Sequence, residues 1–295
     1  MILVVGATGL VGTEICRRLT KRGEKVRALV RTTSSADKVA FLQKCGVDLC
    51  VGDLKDPRSL ADACRGVNAV ISTASSTMSR QTGDSIESVD DRGQLNLVDA
   101  AKVAAVDRFV FVSFRRSPDL SFPLSDAKAH IETAIKSLNF TTIQASWFME
   151  VWLSPALGFD YANAAARIYG SGTSPVSWVS FQDVAEMCVL TVGNPAAERR
   201  TLEVGGPEPL SPLEVVCRFE QIGGRPFKLE HIPHETLRGQ YEAATDSMQK
   251  SFAALMLGYS SGDAMDVRPI QKEFGIELTS VDQYARRVLQ PTTHV

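Results

Sequence analysis

The chain has no apolar run long enough to cross a bilayer, which excludes a membrane-spanning helix. It also lacks an excess of either charge. Its 32 Lys+Arg against 34 Asp+Glu leave a net charge of −2, so no field steers it to nucleic acid or to an anionic membrane. The six cysteines (Cys16, Cys45, Cys50, Cys64, Cys188, Cys217) include no C-x-x-C pair. Most lie among apolar neighbours, as reduced core thiols of a cytoplasmic protein would. The histidines are scattered; His231 and His234 could share a helix face but have no clustered partner, so no metal site is expected. No basic n-region and apolar h-region open the sequence, and Met1 leads directly into a strand-like run. Internal repeats and low-complexity segments are absent as well.

What the chain does have is alternation. Apolar, β-rich runs at Ile2–Val5, Val26–Val30, Val47–Val51, Ala69–Ser72, Phe109–Val112 and Thr141–Ala145 are separated by helical patterns. These patterns lie near Leu10–Arg22, Ser35–Lys44, Pro57–Cys64, Ser85–Val103 and Pro123–Leu138. Strands apolar on both faces and joined by helices predict an α/β fold with a doubly wound parallel sheet. Its ligand crevice is expected at the carboxyl ends of the strands. After Trp152 proline and glycine become frequent. Short strands (Val176–Val179, Thr201–Val204) alternate there with helices near Asp183–Val192, Pro212–Glu220 and Glu235–Met256. Residues 1–150 are therefore expected to bind a nucleotide, and 151–295 to form a smaller α/β substrate-binding region partly interleaved with the main sheet.

The first strand runs straight into Gly6-Ala7-Thr8-Gly9-Leu10-Val11-Gly12. Such spacing lets Gly6 turn the chain, lets the backbone at Gly9 approach a diphosphate, and lets Gly12 bring the helix close to the sheet. The helix start, with Thr8, Leu10 and Val11, then offers unpaired N–H groups to the anion. A strand before, an amphipathic helix after and a second strand beyond it make this a dinucleotide-binding pattern.

Residues 25–36 contain no acid, where an NAD site usually places one for the ribose hydroxyls. The second strand ends instead in Arg31, followed by Thr32, Thr33, Ser34 and Ser35. A guanidinium with hydroxyls suits a 2′-phosphate, so NADP(H) is expected. Other strand ends supply Asp53 and Leu54, where a carboxylate can accept from an adenine amino group. They also supply the small residues Thr73, Ala74 and Ser75 and, after the fifth strand, Ser113 and Phe114, where substrate and nicotinamide would meet. Lys128 opens a helix after Pro123, where it can bond the nicotinamide ribose and, if desolvated, relay a proton. Asp126 and Glu132 read as helix-surface charges.

Together, Gly6-x-x-Gly9-x-x-Gly12, Val30-Arg31, Gly52-Asp53-Leu54, Lys128 and Phe181-Gln182-Asp183-Val184-Ala185 resemble the NmrA-like family, which are atypical short-chain dehydrogenases/reductases. The resemblance runs over nearly the whole chain and implies a Rossmann fold that binds NADP(H). Family members include NADPH-dependent reductases of quinones, isoflavones and benzylic ethers, and catalytically silent NADP sensors. Ordinary short-chain dehydrogenases carry a proton-donating tyrosine four positions before the lysine, where this chain has Leu124. Relatives often have an Arg-Pro pair after the sixth strand, where this chain reads Gln144-Ala145-Ser146-Trp147-Phe148.

The expected function is an NADPH-dependent oxidoreductase passing a hydride to a small conjugated or aromatic acceptor, such as a quinone, enone or ether. Lys128 would be the catalytic residue, acting alone or through water held with Ser113. Phe114, Phe148, Trp152 and Tyr161 are expected on the substrate side, as apolar walls for a flat hydrophobic molecule, and Tyr161 and Tyr169 as possible replacement proton donors. Two alternatives remain: a silent NADP(H)-sensing regulator, and an isomerase or lyase that keeps the cofactor. A monomer or homodimer is expected, with no nucleic-acid or membrane partner.

Overall fold

Ile2–Val5 form β1, four buried residues that need cover on both faces of a sheet. In the computed structural model, which describes residues 1–78, 80–117 and 119–290, that cover is present. A seven-stranded sheet contains β1, β2 (Val26–Val30), β3 (Asp48–Val51), β4 (Ala69–Ser72), β5 (Arg108–Phe114), β6 (Phe140–Ala145) and β9 (Arg200–Val204). Their order is β3-β2-β1-β4-β5-β6-β9. β1 pairs in parallel with both β2 and β4, β2 with β3, and β4 with β5. The strand order reverses beside β1, and at that switch point a crevice opens outside the carboxyl ends.

The connecting helices are α1 (Leu10–Lys21), α2 (Ala36–Lys44), α3 (Pro57–Cys64), α4 (Arg92–Val103) and α5 (Pro123–Ala134). Two of their starts have a plain local cause. Asp56 accepts from the Arg58 N–H ahead of Pro57 in α3, and Pro123 supplies a first residue that needs no N–H partner in α5. Leu3, Val5, Val70, Phe109 and Phe111 of the sheet pack with Leu60, Leu97 and Ile131 of the helices. The helical pattern expected from Ser85 opens with a π-helical turn, Ile86–Asp91, before α4 begins.

The chain divides into two compact units. The first comprises Met1–Phe114, Phe122–Gln144 and Val184–Leu202; the second comprises Arg115–Ser121, Ala145–Asp183 and the chain from Glu203 onward. Within the second, β8 (Ala165–Tyr169) pairs antiparallel with β7 (Phe159–Asp160) and parallel with β10 (Lys228–Ile232). The same unit contains α6 (Met149–Trp152), α8 (Pro212–Gly223), α9 (His234–Ala243), α10 (Ser247–Ser261), α11 (Arg268–Phe274) and α12 (Val281–Leu289). Trp178, Phe219, Leu237 and Tyr284 are buried in its core. α7 (Phe181–Thr191) runs across the division.

Two expectations for this half are corrected. Val176–Val179 is not a strand, because its partners change with every residue or two. Val176 exchanges bonds with Leu210, Ser177 donates to Asp263, and Val179 donates to Trp147, so no ladder forms. The single helix expected over Glu235–Met256 is two helices. Ala244 turns extended, and Asp246 caps α10 by accepting from the N–H groups of Met248 and Gln249. Among the cysteines, Cys16, Cys64 and Cys188 are buried, but Cys217 is exposed and departs from the core-thiol expectation. Burial pushes the Cys16 thiol up to about 12 and the Cys64 thiol up to about 11, which leaves both inert at neutral pH. Among the described residues no helix is long and apolar enough to cross a membrane.

Candidate functional site

The turn from β1 into α1 has no room for a side chain at two of its glycines. Gly6 has φ +84°, and a Cβ there would stand 2.7 Å from the Ala74 nitrogen and from the Thr73 hydroxyl oxygen. A Cβ on Gly12 would stand 2.2 Å from the Gly6 carbonyl oxygen, so α1 can approach β1 only because that atom is missing. The Gly9 N–H donates to the Gly6 carbonyl at 2.9 Å, and the Thr13 hydroxyl to the Ala7 carbonyl at 2.9 Å, which fix the loop from within. α1 has no side-chain cap and no acid in its first turn, so its leading N–H groups at Leu10 and Val11 face no competing carboxylate of their own helix. Leu10 is exposed and Thr8 half-buried at this mouth. An anion-binding cradle that a Cβ would fill fits the diphosphate of a dinucleotide.

Around the cradle, Arg31 follows β2 and its N–H donates to the Ser34 hydroxyl at 3.0 Å. Thr32 is exposed beside it. Asp53 accepts from the Lys55 N–H at 2.8 Å, while Leu54 is buried in the core, where Gly93 leaves it space. Thr73 donates to the Val5 carbonyl at 3.3 Å, and the Ser75 and Thr77 hydroxyls bond each other at 3.1 Å. The structure thus gathers Gly6, Gly9, Gly12, Arg31, Asp53, Thr73, Ala74 and Ser75 at the carboxyl ends of β1 to β4.

Lys128 projects from α5 toward β5. It is buried, and its Nζ donates to the Val112 carbonyl at 3.2 Å and lies 4.7 Å from the centre of the Phe111 ring. Burial pushes its ammonium below the ordinary lysine range, against the opposing pull of Asp90 and then Glu132. Glu132 is not the solvated helix charge expected of it. The Ser113 hydroxyl donates to its Oε1 at 2.6 Å and the Gln144 amide at 3.0 Å. Leu124, one turn before Lys128, is buried and offers no proton.

Four residues were missed in reading the sequence. Asp90, fully buried on the π turn, accepts from the Ser76 N–H at 2.9 Å and hydroxyl at 2.6 Å through one oxygen. Its other oxygen has no hydrogen-bond partner among the described residues. Gln94, also buried, accepts from Ser72 at 2.8 Å and donates to the Ala74 carbonyl at 2.9 Å, holding the β4 end in place. Both are polar residues on a helix face otherwise made of Ile86, Val89, Leu97 and Val98, and that interruption was the available signal. The other two are Lys55 and Asp84, which pair with each other while Asp84 also pairs with Arg31, and nothing in their local sequence marks them.

The expected substrate residues are distributed differently. Phe114 ends β5 and stacks on Phe122, with centroids 6.0 Å apart. In the second unit, Trp152 packs on Trp147 at 4.5 Å and on Tyr259 at 4.8 Å, whereas Tyr161 lies over Phe219 at 6.3 Å. Trp152 and Tyr161 therefore belong to separate aromatic groups. Phe148 is bridged to Val179 at the start of α6. Tyr169, considered as a proton donor, spends its hydroxyl on the Leu157 carbonyl at 3.0 Å.

A family profile described as NmrA-like matches residues 1–285. The chain belongs to the NmrA-like family. Relatives of this NmrA-like chain include a photosystem II assembly factor, Ycf39, from Synechocystis sp., 31% identical and matched over 96% of the chain and 89% of the relative. An NAD(P)H azoreductase from Xenophilus azovorans is 29% identical, over 89% of the chain and 90% of the relative. Among solved structures, an NADPH-dependent quinone oxidoreductase from Escherichia coli, complexed with NADPH, shares the fold with a TM-score of 0.79. It is 18% identical, and the match covers 98% of this chain and 100% of that one.

Proposed function

We propose that this NmrA-like chain is an NADPH-dependent reductase of small conjugated or aromatic acceptors. The observation that carries the reading is the association of a glycine cradle sized for backbone alone, at Gly6 and Gly12, with a buried lysine, Lys128 of α5, bonded to Val112 of β5 in the same sheet. The names of the azoreductase and of the quinone oxidoreductase support the same class.

When bound, NADPH would supply the hydride. The chain's own residues supply the rest. The α1 start and the glycines hold the diphosphate, and Arg31 binds a 2′-phosphate. Lys128 holds a proton at Nζ in surroundings that make it easier to release than from a solvated lysine. With Leu124 in place of a hydroxyl donor, one localised alkoxide has no strong acid beside it. A conjugated acceptor, which spreads the charge, suits such a site.

The test monitors loss of NADPH absorbance with a panel of quinones, azo dyes, enones and aromatic ethers. Turnover with at least one of them is expected, and Lys128→Met should lose turnover while keeping NADPH binding. Tight NADPH binding with no turnover on any acceptor would overturn the reductase reading. It would favour a second one, a cofactor-binding assembly or regulatory protein, which the 31% identity to an assembly factor over nearly the whole chain supports.

A further inference from the structure

Three charged side chains meet at the carboxyl ends of β2 and β3. Arg31 follows β2, Lys55 follows β3, and Asp84 comes from the segment between β4 and the π turn. The Asp84 side chain is only 1% exposed. Nη1 of Arg31 donates to its Oδ2 at 2.6 Å, and Nζ of Lys55 donates to its Oδ1 at 2.5 Å. The Gln81 N–H also donates to Oδ2, at 3.0 Å. Gln81 is fastened to the end of β2 in turn. Its Nε2 donates to the Thr33 carbonyl at 3.2 Å, and its Oε1 accepts from the Thr33 hydroxyl. Asp53 is more distant, 3.8 Å from the Lys55 ammonium.

A carboxylate with a different cation on each oxygen has the arrangement of a phosphate held by two bases. The two cations follow neighbouring parallel strands, so the order of the sheet brings them to the same end of it. Asp84 arrives from elsewhere, on a segment held to β2 through Gln81 and Thr33. Arg31 and Lys55 both close on the Asp84 carboxylate, and a dianionic group attracts two cations more strongly than a monoanionic carboxylate does. The fork also stands at the strand ends that carry the dinucleotide cradle.

We propose that Arg31 and Lys55 together form the site for the 2′-phosphate of the dinucleotide, and that Asp84 is a resident anion which this phosphate displaces. The proposal rests on the NADP(H) reading above. A ligand bearing only a 2′-hydroxyl has no charge to exchange for the carboxylate, so Arg31, Lys55 and Asp84 stay closed on one another. Selection for the phosphate then comes from exchanging one anion for a stronger one across two cations, and Asp84 tunes how much the exchange yields.

Calorimetric titration of the full chain with 2′,5′-ADP and with 5′-ADP tests this without any turnover. The wild-type chain is expected to prefer 2′,5′-ADP. Lys55→Gln should weaken 2′,5′-ADP about tenfold, the loss of one charge-assisted contact, and leave 5′-ADP unchanged. Asp84→Asn should tighten 2′,5′-ADP about tenfold, because the competing anion is gone. Lys55 is exposed, so its replacement keeps the test valid should Asp84→Asn disturb the loop. An unchanged 2′,5′-ADP affinity in Lys55→Gln, or a weaker one in a folded Asp84→Asn, overturns the proposal. Discrimination that survives in the wild type but is lost in Arg31→Ala would still leave the NADP(H) reading standing. A wild-type chain that binds both probes equally overturns the two together.

Discussion

Nζ of Lys128 donates to the main-chain carbonyl of Val112 at 3.2 Å, which ties α5 to the end of β5 through a buried ammonium. Burial disfavours the charged form of this ammonium, and Asp90 and then Glu132 are the carboxylates that favour it. Asp90→Asn is therefore expected to lower the Lys128 pKa further. The measurement is an NMR titration of the Lys128 side chain in both proteins, with Asp126→Asn as control. A Lys128 titration unmoved by Asp90→Asn would show that Asp90 acts only on Ser76.

The same group fixes a sign for stability against pH. The folded-state pKa of Lys128 lies below the ordinary lysine value, so the folded chain gives up this proton before the unfolded chain does. Between those two pKa values the unfolded state binds more protons, and Lys128 makes stability rise with pH there. Lys128→Met should remove that contribution. Urea midpoints measured through the alkaline range should show a steeper fall, or a smaller rise, in the variant than in the wild type.

Gly12→Ala should lower stability by about 1–3 kcal/mol, the usual cost of forcing an extra carbon into a packed site. The added Cβ would meet the Gly6 carbonyl oxygen at 2.2 Å, and backbone cannot swing aside as a side-chain tip can. Gly9→Ala meets the same oxygen at 3.1 Å and should be the milder change. Equilibrium urea unfolding of the two variants gives the comparison, and equal stabilities would contradict it.

Asp84 makes the opposite kind of linkage. Burial alone would push its carboxyl up, but bonds from Lys55, Arg31 and the Gln81 N–H hold it below the usual range. Its contribution is present above the ordinary aspartate pKa and is lost as pH falls through the lowered one. Asp84→Asn should therefore cost stability near neutrality and little in strong acid. It should also speed tryptic cleavage after Arg80, which lies beside the same loop. Cleavage at the wild-type rate would show that the carboxylate does not hold the loop.

Arg31→Asp should shift the NADPH/NADH preference toward NADH by at least about tenfold, since it replaces a phosphate partner with a carboxylate suited to ribose hydroxyls. Dissociation constants for both cofactors, measured by nicotinamide fluorescence, decide it. An unchanged ratio would remove Arg31 from the cofactor site.

The doubly wound sheet was legible because each of its inner strands is a short apolar run bounded by turn signals, and Ile2–Val5 into Gly6 is as clear a case as the code offers. Local information also sufficed for Gly12, whose demand for space is set by residues only six positions away. It did not suffice for Asp84, whose partners Arg31 and Lys55 are brought to it by the order of the strands. Glu132 reads as a helix-surface charge from its own stretch of sequence; only the arrival of Ser113 and Gln144 from β5 and β6 shows otherwise. In the second unit β7, β8 and β10 are short and part-exposed, so their sequences carry no strong alternation. The pairing of β8 with β10 is settled across more than sixty residues, between Ala165 and Lys228.

The π turn at Ile86–Asp91 sets the rotational phase at which α4 begins. A regular helix turns about 100° per residue, and a π turn takes up one residue more per turn without passing that rotation on. Here the slack is used where Asp90 points inward to Ser76 while its neighbour Asp91 reaches outward to His130, at 2.7 Å. A deletion of one residue in this stretch would re-form an ordinary helical turn and leave α4 seated. Asp90 would then rotate out of the interior, and the lysine on α5 would lose the larger of its two counter-charges though Lys128 itself had not been changed. The segment works as a vernier: its length, more than its composition, decides which carboxylate faces the buried ammonium.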